Sequence, residues 1–289
     1  MSDITTPKTT VIDENEERGA FMYLEKEDIR LYYEVRGEGI PLIMIHGVIV
    51  DADLYLKSAE YLSHFYKVIT YDRRGNSRSV WKGEPHFSME GQAEDILDLM
   101  ETLGIEDAYI VGQSAGAIIG QYFLQEHPEA VRHMIMYEPA IMGFLDDMPN
   151  VREWTGKMKD LISRRKYNTA LLEFSQKISQ PDSRSPQKPE DEAIREMGNH
   201  KYALSQEFPE LVSYHPDIEK TKAYSDRITL TMGEKSTDPV YMGGLARFAQ
   251  SLDTDIVFYP GFHNLPYDLP REFAINVLGT LMMAEKKLL

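Results

Sequence analysis

The pentapeptide Gly112-Gln113-Ser114-Ala115-Gly116 combines residue types that could carry out nucleophilic catalysis. An apolar, β-branched run at 109–111 precedes it, and residues 117–124 follow with the apolar spacing of a helix. The two glycines allow a sharp turn, because they have no Cβ that would collide with neighbouring strands. The pattern therefore predicts a strand, a tight turn with Ser114 at its apex, and a helix whose first amides could stabilise an oxyanion.

Such a pentapeptide also arises by chance, so its interpretation depends on the rest of the chain. Several other polar side chains directly follow runs that have the length and composition of strands. In open α/β sheets, functional groups collect beyond the carboxyl ends of the strands. The following residues, although far apart in sequence, are therefore predicted to share one edge of a sheet: His46, Asp72, Ser114, Glu138, Asp238 and His263.

Alternating strand and helix patterns predict the elements that would bring these residues together. Helical spacing separates most of the strand-like runs, as in proteins with parallel sheets. Runs of strand length occur at 21–24, 29–35, 41–45, 67–71, 108–111, 131–137, 227–233 and 255–259. The predicted fold class is α/β, with a mostly parallel, eight-stranded sheet flanked by helices.

The alternation stops near residue 140 and resumes near residue 225. Residues 141–224 contain helical patterns without a convincing central strand, so we expect a helical cap at 141–224 inserted into a core domain formed by 19–140 and 225–289. Residues 1–18 are polar and acidic with almost nothing to bury. We expect them to form a disordered N-terminal arm.

Composition and charge exclude several classes of function. The 289 residues include 47 acidic and 31 basic side chains, a formal net charge of −16, so neither nucleic acid nor an anionic membrane is an expected partner. The absence of cysteine excludes disulfides, thiolate metal sites and a cysteine nucleophile. No apolar run approaches the length of a membrane span, and the first residues lack a signal-like apolar region. We expect a cytoplasmic protein, and leave open whether it forms a homodimer.

Four motifs together resemble the α/β-hydrolase superfamily, over the region from about residue 21 to the C-terminus except the 141–224 insertion. They are His46-Gly47, the segment 71–79 that begins Tyr71-Asp72-Arg73-Arg74-Gly75, the pentapeptide around Ser114, and Gly261-Phe262-His263. The order of serine, acid and histidine along the chain agrees with this superfamily. The resemblance implies a catalytic triad and an oxyanion hole at the predicted sheet edge.

Ser114 is the expected nucleophile and His263 the expected base, because a serine hydroxyl needs a base beside it to become reactive. The oxyanion hole is expected to consist of the backbone amides of Ala115 and Val48, the latter directly after His46-Gly47. His46 and the 72–75 segment are interpreted as structural groups that hold loops by hydrogen bonds and charge.

Two carboxylates compete for the third position of the triad. Many α/β-hydrolases place an aspartate in a Gly-x-x-Asp turn after the strand predicted at 227–233, but this chain has Ser236 at that position and Asp238 two residues later. Glu138 directly follows the strand predicted at 131–137. A glutamate at this position resembles the arrangement in zearalenone lactone hydrolases. We favour Glu138 over the alternative acid Asp238.

The expected reaction is hydrolysis of a carboxylic ester or lactone of a small hydrophobic substrate through an acyl-enzyme. Apolar side chains near the start of the cap are candidates for contact with such a substrate, although packing of the cap would explain them equally well. They are Met142, Phe144, Met148, Trp154 and Met158, together with Leu145. No metal and no cofactor are expected, because no ligand cluster, phosphate loop or dinucleotide glycine pattern occurs.

Other functions are compatible with the same residues. Cofactor-free haloperoxidases or perhydrolases resemble this chain around Tyr71-Asp72-Arg73-Arg74-Gly75, and a carbon–carbon bond hydrolase is a further enzymatic alternative. The superfamily also includes receptors that bind small molecules without turnover. Loss of ester hydrolysis in a Ser114→Ala variant would separate an enzyme from such a receptor.

Overall fold

The computed structural model describes residues 8–15, 19–178, 186–237 and 239–288. Ten strands within these residues form one sheet. They are β1 (Lys8–Asn15), β2 (Gly19–Glu25), β3 (Ile29–Arg36), β4 (Pro41–Ile45), β5 (Lys67–Tyr71), β6 (Val80–Trp81), β7 (Ala108–Gln113), β8 (Val131–Tyr137), β9 (Ile228–Gly233) and β10 (Ile256–Tyr259). Their order is β1-β2-β3-β5-β4-β7-β8-β9-β10, and β6 pairs with β3.

The sheet is parallel from β5 to β10 and antiparallel from β1 to β3. Every residue of β7 is buried, as expected for a central parallel strand covered on both faces. The predicted fold class, a mostly parallel sheet flanked by helices, is confirmed. The predicted number of strands was wrong, because the described residues contain ten strands rather than eight. The two additional strands are β1 and the two-residue β6, which were not predicted.

The expected disorder of the arm at 1–18 is contradicted for residues 8–15. These residues form β1, which pairs antiparallel with β2 from Lys8 opposite Glu25 to Asn15 opposite Gly19. The prediction relied on the polar side chains of this segment, whereas a β-ladder is held by backbone hydrogen bonds that any side chain permits. β1 also covers an edge of β2 that would otherwise lack partners. Residues 1–7 and 16–18 lie outside the described residues.

Helices cover both faces of the sheet, and alternate residues of each central strand pack against them. In β4, Ile43 and Ile45 pack into one apolar core while Leu42 and Met44 pack into the other. The first core contains side chains of α2 (Met89–Thr102), α3 (Ala115–Glu126) and α9 (Pro239–Leu252). The second contains side chains of α1 (Leu56–Leu62), α10 (Leu265–Asp268) and α11 (Pro270–Leu288).

Between β8 and β9 the chain leaves the sheet, and we call residues 141–224 the helical insertion. Its described residues form helices and connecting segments but no strand. The helices are α4 (Pro149–Ser163), α5 (Tyr167–Ile178), α6 (Glu190–Tyr202), a π-helical turn at Ala203–Glu207, α7 (Phe208–Leu211) and α8 (Ile218–Lys222). The insertion has an apolar core of its own, which includes Leu145, Met158 and Phe208.

A buried ion pair joins this insertion to the sheet. The guanidinium of Arg73, which follows β5, is fully buried and binds both carboxylate oxygens of Glu207 in the π-helical turn, at 2.7 and 3.1 Å. The same guanidinium donates to the carbonyl oxygens of His46 and Gly47, each at 2.9 Å. Arg73 therefore fixes the loop after β4 and the insertion relative to each other.

Breaking this pair should destabilise the protein strongly. Glu207→Ala leaves the Arg73 charge buried without a counter-ion, which typically costs about 3–5 kcal/mol of unfolding free energy. Urea denaturation followed by circular dichroism measures this cost. Glu60→Ala is the matched control, because it removes an exposed ion pair with Lys57 at 3.2 Å and should have little effect. Equal stability of the two variants would contradict the structural importance of the Arg73–Glu207 pair.

Candidate active site

Ser114 lies at a tight turn between β7 and α3. Its backbone adopts φ 55° and ψ −120°, a conformation that a non-glycine residue rarely holds, and its amide donates to the carbonyl oxygen of Tyr137 at 2.9 Å. Both flanking glycines are required by close packing. A Cβ on Gly112 would lie 2.6 Å from the backbone of Ala117, and one on Gly116 would collide with the carbonyl oxygen of Ile45.

The loop after β4 runs directly against this turn. A Cβ on Gly47 would lie 2.6 Å from Oε1 of Gln113 and 3.2 Å from Cβ of Ser114, so glycine lets the loop approach the serine closely. Val48 follows, and its side chain lines the cavities at Ser114. The next residue, Ile49, has φ 61°, which is unusual for a β-branched side chain and marks a strained loop. This geometry brings the residue expected to donate to an oxyanion next to the serine.

His46 is held as a neutral structural group. Its Nε2 accepts a hydrogen bond from the backbone amide of Arg73 at 2.9 Å, so the proton lies on Nδ1, which donates to the carbonyl oxygen of Gly47 at 2.7 Å. Complete burial, reinforced by the nearby Arg73 charge, lowers the pKa of His46 to about 3. His46 therefore positions the loop that carries Val48.

His263 and Glu138 are brought together from the ends of β10 and β8. Nδ1 of His263 lies 2.7 Å from Oε2 of Glu138. Because the carboxylate can only accept, Nδ1 carries the proton, and Nε2 of the neutral imidazole accepts from Nε2 of Gln113 at 2.9 Å. Glu138 itself has φ 45° and is fully buried, so the backbone turn that directs its carboxylate is strained.

Two further donors bind the other oxygen of Glu138. Oε1 accepts from the backbone amide of Gly233 at 2.8 Å and from the hydroxyl of Ser236. Burial opposes ionisation of Glu138, but the bonds from His263, Ser236 and Gly233 outweigh it and lower the pKa of the carboxyl group. The other candidate acid, Asp238, lies outside the described residues.

Two cavities meet at Ser114. The smaller, of about 30 Å³, is apolar, and the larger, of about 200 Å³, has a more polar lining that includes His263. Both are also lined by Val48 and Phe174. The remaining lining of the smaller cavity is Ala115, Ile118, Ala140, Met142, Phe208, Leu211 and Val212. A molecule bound at Ser114 would therefore meet an apolar wall on one side and polar groups on the other.

The six apolar residues predicted to contact substrate are placed differently from one another, and Leu145 among them is fully buried in the core of the helical insertion. Met142 lines the smaller cavity. Phe144 packs against Phe248 with ring centres 6.0 Å apart. The others belong to the core of the helical insertion: Met158 is fully buried, and Met148 and Trp154 are partly buried beside it. Neither cavity at Ser114 has these other five residues in its lining.

Several lining residues were not identified from the sequence. Phe174 of α5 and Phe208 of α7 face Ser114, as do Leu211 and Val212. Their apolar helical spacing indicated a buried face but not whether that face meets the sheet, the insertion or a cavity. The sequence indicated more clearly that Ser236 belongs to the site, because it occupies the position at which many α/β-hydrolases have the triad aspartate. Its hydroxyl supports the carboxylate of Glu138 instead.

Comparison with known proteins places this chain in a family. A family model for the alpha/beta hydrolase fold matches residues 40–205, which is more than half of the chain. The chain belongs to the α/β-hydrolase family. Among relatives, it is similar to the uncharacterized hydrolase YraK of Bacillus subtilis, with 27% identity over 274 residues that cover 91% of this chain and 96% of YraK. The turn at Ser114 of this α/β-hydrolase lies within the matched range.

Solved structures share the same fold at low identity. One comes from work on carboxylesterases of the ammonia-oxidizing Thaumarchaeon Nitrososphaera gargenis, with a TM-score of 0.70 and 18% identity, covering 92% of this chain and 99% of that one. Another is Est816, described as an N-acyl homoserine lactone degrading enzyme, with a TM-score of 0.70 and 18% identity, covering 89% and 99%. These similarities support the fold of this α/β-hydrolase.

The described residues form neither a membrane-spanning helix nor a cluster of metal ligands. None of the helices there has both the length and the apolar character needed to cross a bilayer. Nor do three or more histidine, aspartate or glutamate side chains in these ranges converge as metal ligands.

The lowered pKa of Glu138 predicts how one part of the stability depends on pH. A carboxylate with a depressed native pKa stabilises the fold fully above its ordinary value of about 4.3, and this contribution is lost as pH falls through the native pKa. The melting temperature of wild type should therefore exceed that of Glu138→Gln at pH 5, and the gap should narrow by pH 3. Calorimetry at both values measures the gap, with exposed Glu60→Gln as control. A constant gap would contradict an ionised Glu138.

Proposed function

We propose that this α/β-hydrolase is a serine hydrolase that cleaves a carboxylic ester or lactone of a small hydrophobic substrate through an acyl-enzyme. The observation that carries the proposal is the hydrogen bond between Nδ1 of His263 and Glu138. It fixes the tautomer in which Nε2 of His263 carries a lone pair, and His263 lines the cavity that also contains Ser114. Nε2 can therefore act as a base once Gln113 no longer donates to it.

The first half of the reaction forms the acyl-enzyme. Substrate displaces the amide of Gln113 from Nε2 of His263, which then removes the proton of Ser114 as its oxygen attacks the carbonyl carbon. The amides of Ala115 and Val48 stabilise the resulting oxyanion. Nε2 of His263 next gives its proton to the leaving alcohol oxygen, and the tetrahedral intermediate collapses to the ester of Ser114.

In the second half of the reaction, a water molecule hydrolyses the acyl-enzyme. Nε2 of His263 takes a proton from a water molecule that attacks the acyl carbon, and the same proton returns to the oxygen of Ser114 when the carboxylic acid leaves. Throughout, the ionised Glu138 holds the imidazole in the required tautomer and stabilises it when it is positively charged. The two supporting donors, Gly233 and Ser236, keep this carboxylate ionised in a buried position.

The helical insertion would act as the cap over this site, with residues 19–140 and 225–289 as the core domain. Support comes from Phe174 and Phe208, which lie in helices of the insertion and line the cavity at Ser114. The activities named for two structural neighbours, carboxylesterase and N-acyl homoserine lactone degradation, are compatible with an ester or lactone substrate. The position of Glu138 also resembles the acid of zearalenone lactone hydrolases.

Replacement of the nucleophile tests the proposal. Ser114→Ala should lower kcat/KM for p-nitrophenyl acetate by about 10⁴-fold or more, since removal of one triad member leaves only oxyanion and binding contributions. Wild type should react with a fluorophosphonate at Ser114, as detected by mass spectrometry. The exposed Ser163→Ala variant is the control and should retain full activity. Absence of labelling and of turnover with a panel of esters and lactones would refute the serine-hydrolase function.

The two candidate acids are distinguished by a parallel pair of variants. Glu138→Ala should lose most of kcat for the same ester, because His263 loses the partner that fixes its tautomer. Asp238→Ala should keep near-wild-type kcat. Retention of activity in Glu138→Ala with its loss in Asp238→Ala would assign the acid to Asp238.

A further inference from the structure

If the proposed function is correct, the position of His263 indicates which cavity binds the acyl group of an ester and which binds the alcohol. The leaving alcohol oxygen must lie near Nε2 of His263, because that atom supplies its proton. His263 lines only the larger of the two cavities at Ser114, whereas Ala115, whose amide faces the oxyanion, lines only the smaller. The larger cavity therefore holds the alcohol and the smaller holds the acyl group.

The smaller cavity limits the size and the polarity of the acyl group that can bind. Its volume of about 30 Å³ accommodates only a few non-hydrogen atoms, and its lining is apolar apart from Ser114 itself. A short aliphatic acyl group meets both conditions.

The larger cavity has charged side chains in its wall. Lys188 and Glu196 both line it, and they form an ion pair with each other. Lys188 also lies 3.2 Å from Oε1 of Glu192, an oxygen that is buried and accepts no hydrogen bond from the described residues. One cation of the cavity wall therefore faces two carboxylates.

Lys188 alone does not balance the charges of Glu192 and Glu196, and the ion pairs behind this wall do not supply a further positive charge. Arg195 binds Asp51 and Asp53, each at 2.6 Å, and Arg78 binds Asp53 at 3.0 Å and Asp72 at 2.7 Å. Arg78 also pairs with Glu34, which in turn pairs with Arg36. Together with the wall, this linked group within the described residues has six carboxylates and four cations: Glu34, Asp51, Asp53, Asp72, Glu192 and Glu196 against Arg36, Arg78, Lys188 and Arg195.

At Glu196, burial and the neighbouring carboxylates both oppose ionisation. Burial, together with the charges of Asp51 and Glu192, raises the pKa of Glu196 to about 7, although Lys188 acts in the opposite direction. A positive charge entering the cavity would stabilise the ionised form of Glu196. An anion would instead have to draw Lys188 away from both of its carboxylates, which would then remain buried without it.

We propose that the larger cavity selects esters of positively charged alcohols with a short acyl group, and that Glu196 is the residue that determines this preference. Lys188 attenuates the preference, because it neutralises part of the same negative charge. This proposal refines the substrate of the proposed hydrolase, and makes no claim about the chemistry at Ser114.

Three acetate esters of similar size test the charge preference. They carry a 2-(trimethylammonio)ethyl, a neutral 3,3-dimethylbutyl or a negatively charged 2-sulfoethyl leaving group. We expect wild-type kcat/KM to be about 10-fold higher for the cationic than for the neutral ester, and lowest for the anionic ester. In Glu196→Gln the cationic-to-neutral ratio should fall to about 2 or less, whereas Lys188→Met should raise it above the wild-type value.

Glu190→Gln is the matched control, since Glu190 is exposed on the same helix, α6, and should leave the ratio unchanged. Acyl length is tested with p-nitrophenyl acetate and octanoate, of which the acetate should be strongly preferred. A wild-type ratio near 1, a preference for the anionic ester, an unchanged ratio in Glu196→Gln or a preference for octanoate would each overturn the inference. All of these outcomes still require turnover at Ser114. Absence of any turnover and labelling would instead refute the proposed function.

Discussion

The carboxylate of Glu138 is the point at which three separate parts of the chain meet. Its two oxygens bind the imidazole of His263 after β10, the amide of Gly233 at the end of β9 and the hydroxyl of Ser236 in the loop that follows. A buried carboxylate is stable only when such partners replace its lost hydration. The position of the histidine therefore depends on loops whose strands are adjacent in the sheet but distant in sequence.

A second buried charge organises the opposite side of Ser114. Arg73 links the carbonyl oxygens of His46 and Gly47 to Glu207 of the helical insertion, so the loop that carries Val48 and the helices above it share one anchor. Since an ion pair without solvent tolerates little displacement, the helices above the serine and the amides beside it are held in a fixed relation. The oxyanion stabilisation that we propose for the amides of Ala115 and Val48 requires rigid support of this kind.

Local patterns explain why much of this arrangement could be predicted from the sequence. The strand–turn–helix around Ser114 and the placement of His46 and His263 after strands each depend on a few consecutive residues. The pairing of β1 could not be predicted in that way, because it depends on backbone hydrogen bonds to an exposed edge. The cavity walls formed by Phe174 and Phe208 depend on how helices dock, and an apolar helical face does not identify its partner.

The place at which the helical insertion leaves the sheet has a consequence for how such proteins can be recombined. Glu138, with its strained backbone, lies at the end of β8, and the insertion begins three residues later. A segment exchanged between Ala140 and the start of β9 would transfer the side chains that surround a ligand while leaving the carboxylate beneath His263 in place. A boundary moved only a few residues toward β8 would remove it. An exchanged segment must therefore begin after Ala140, and it must also supply a carboxylate to the buried Arg73, as Glu207 does here.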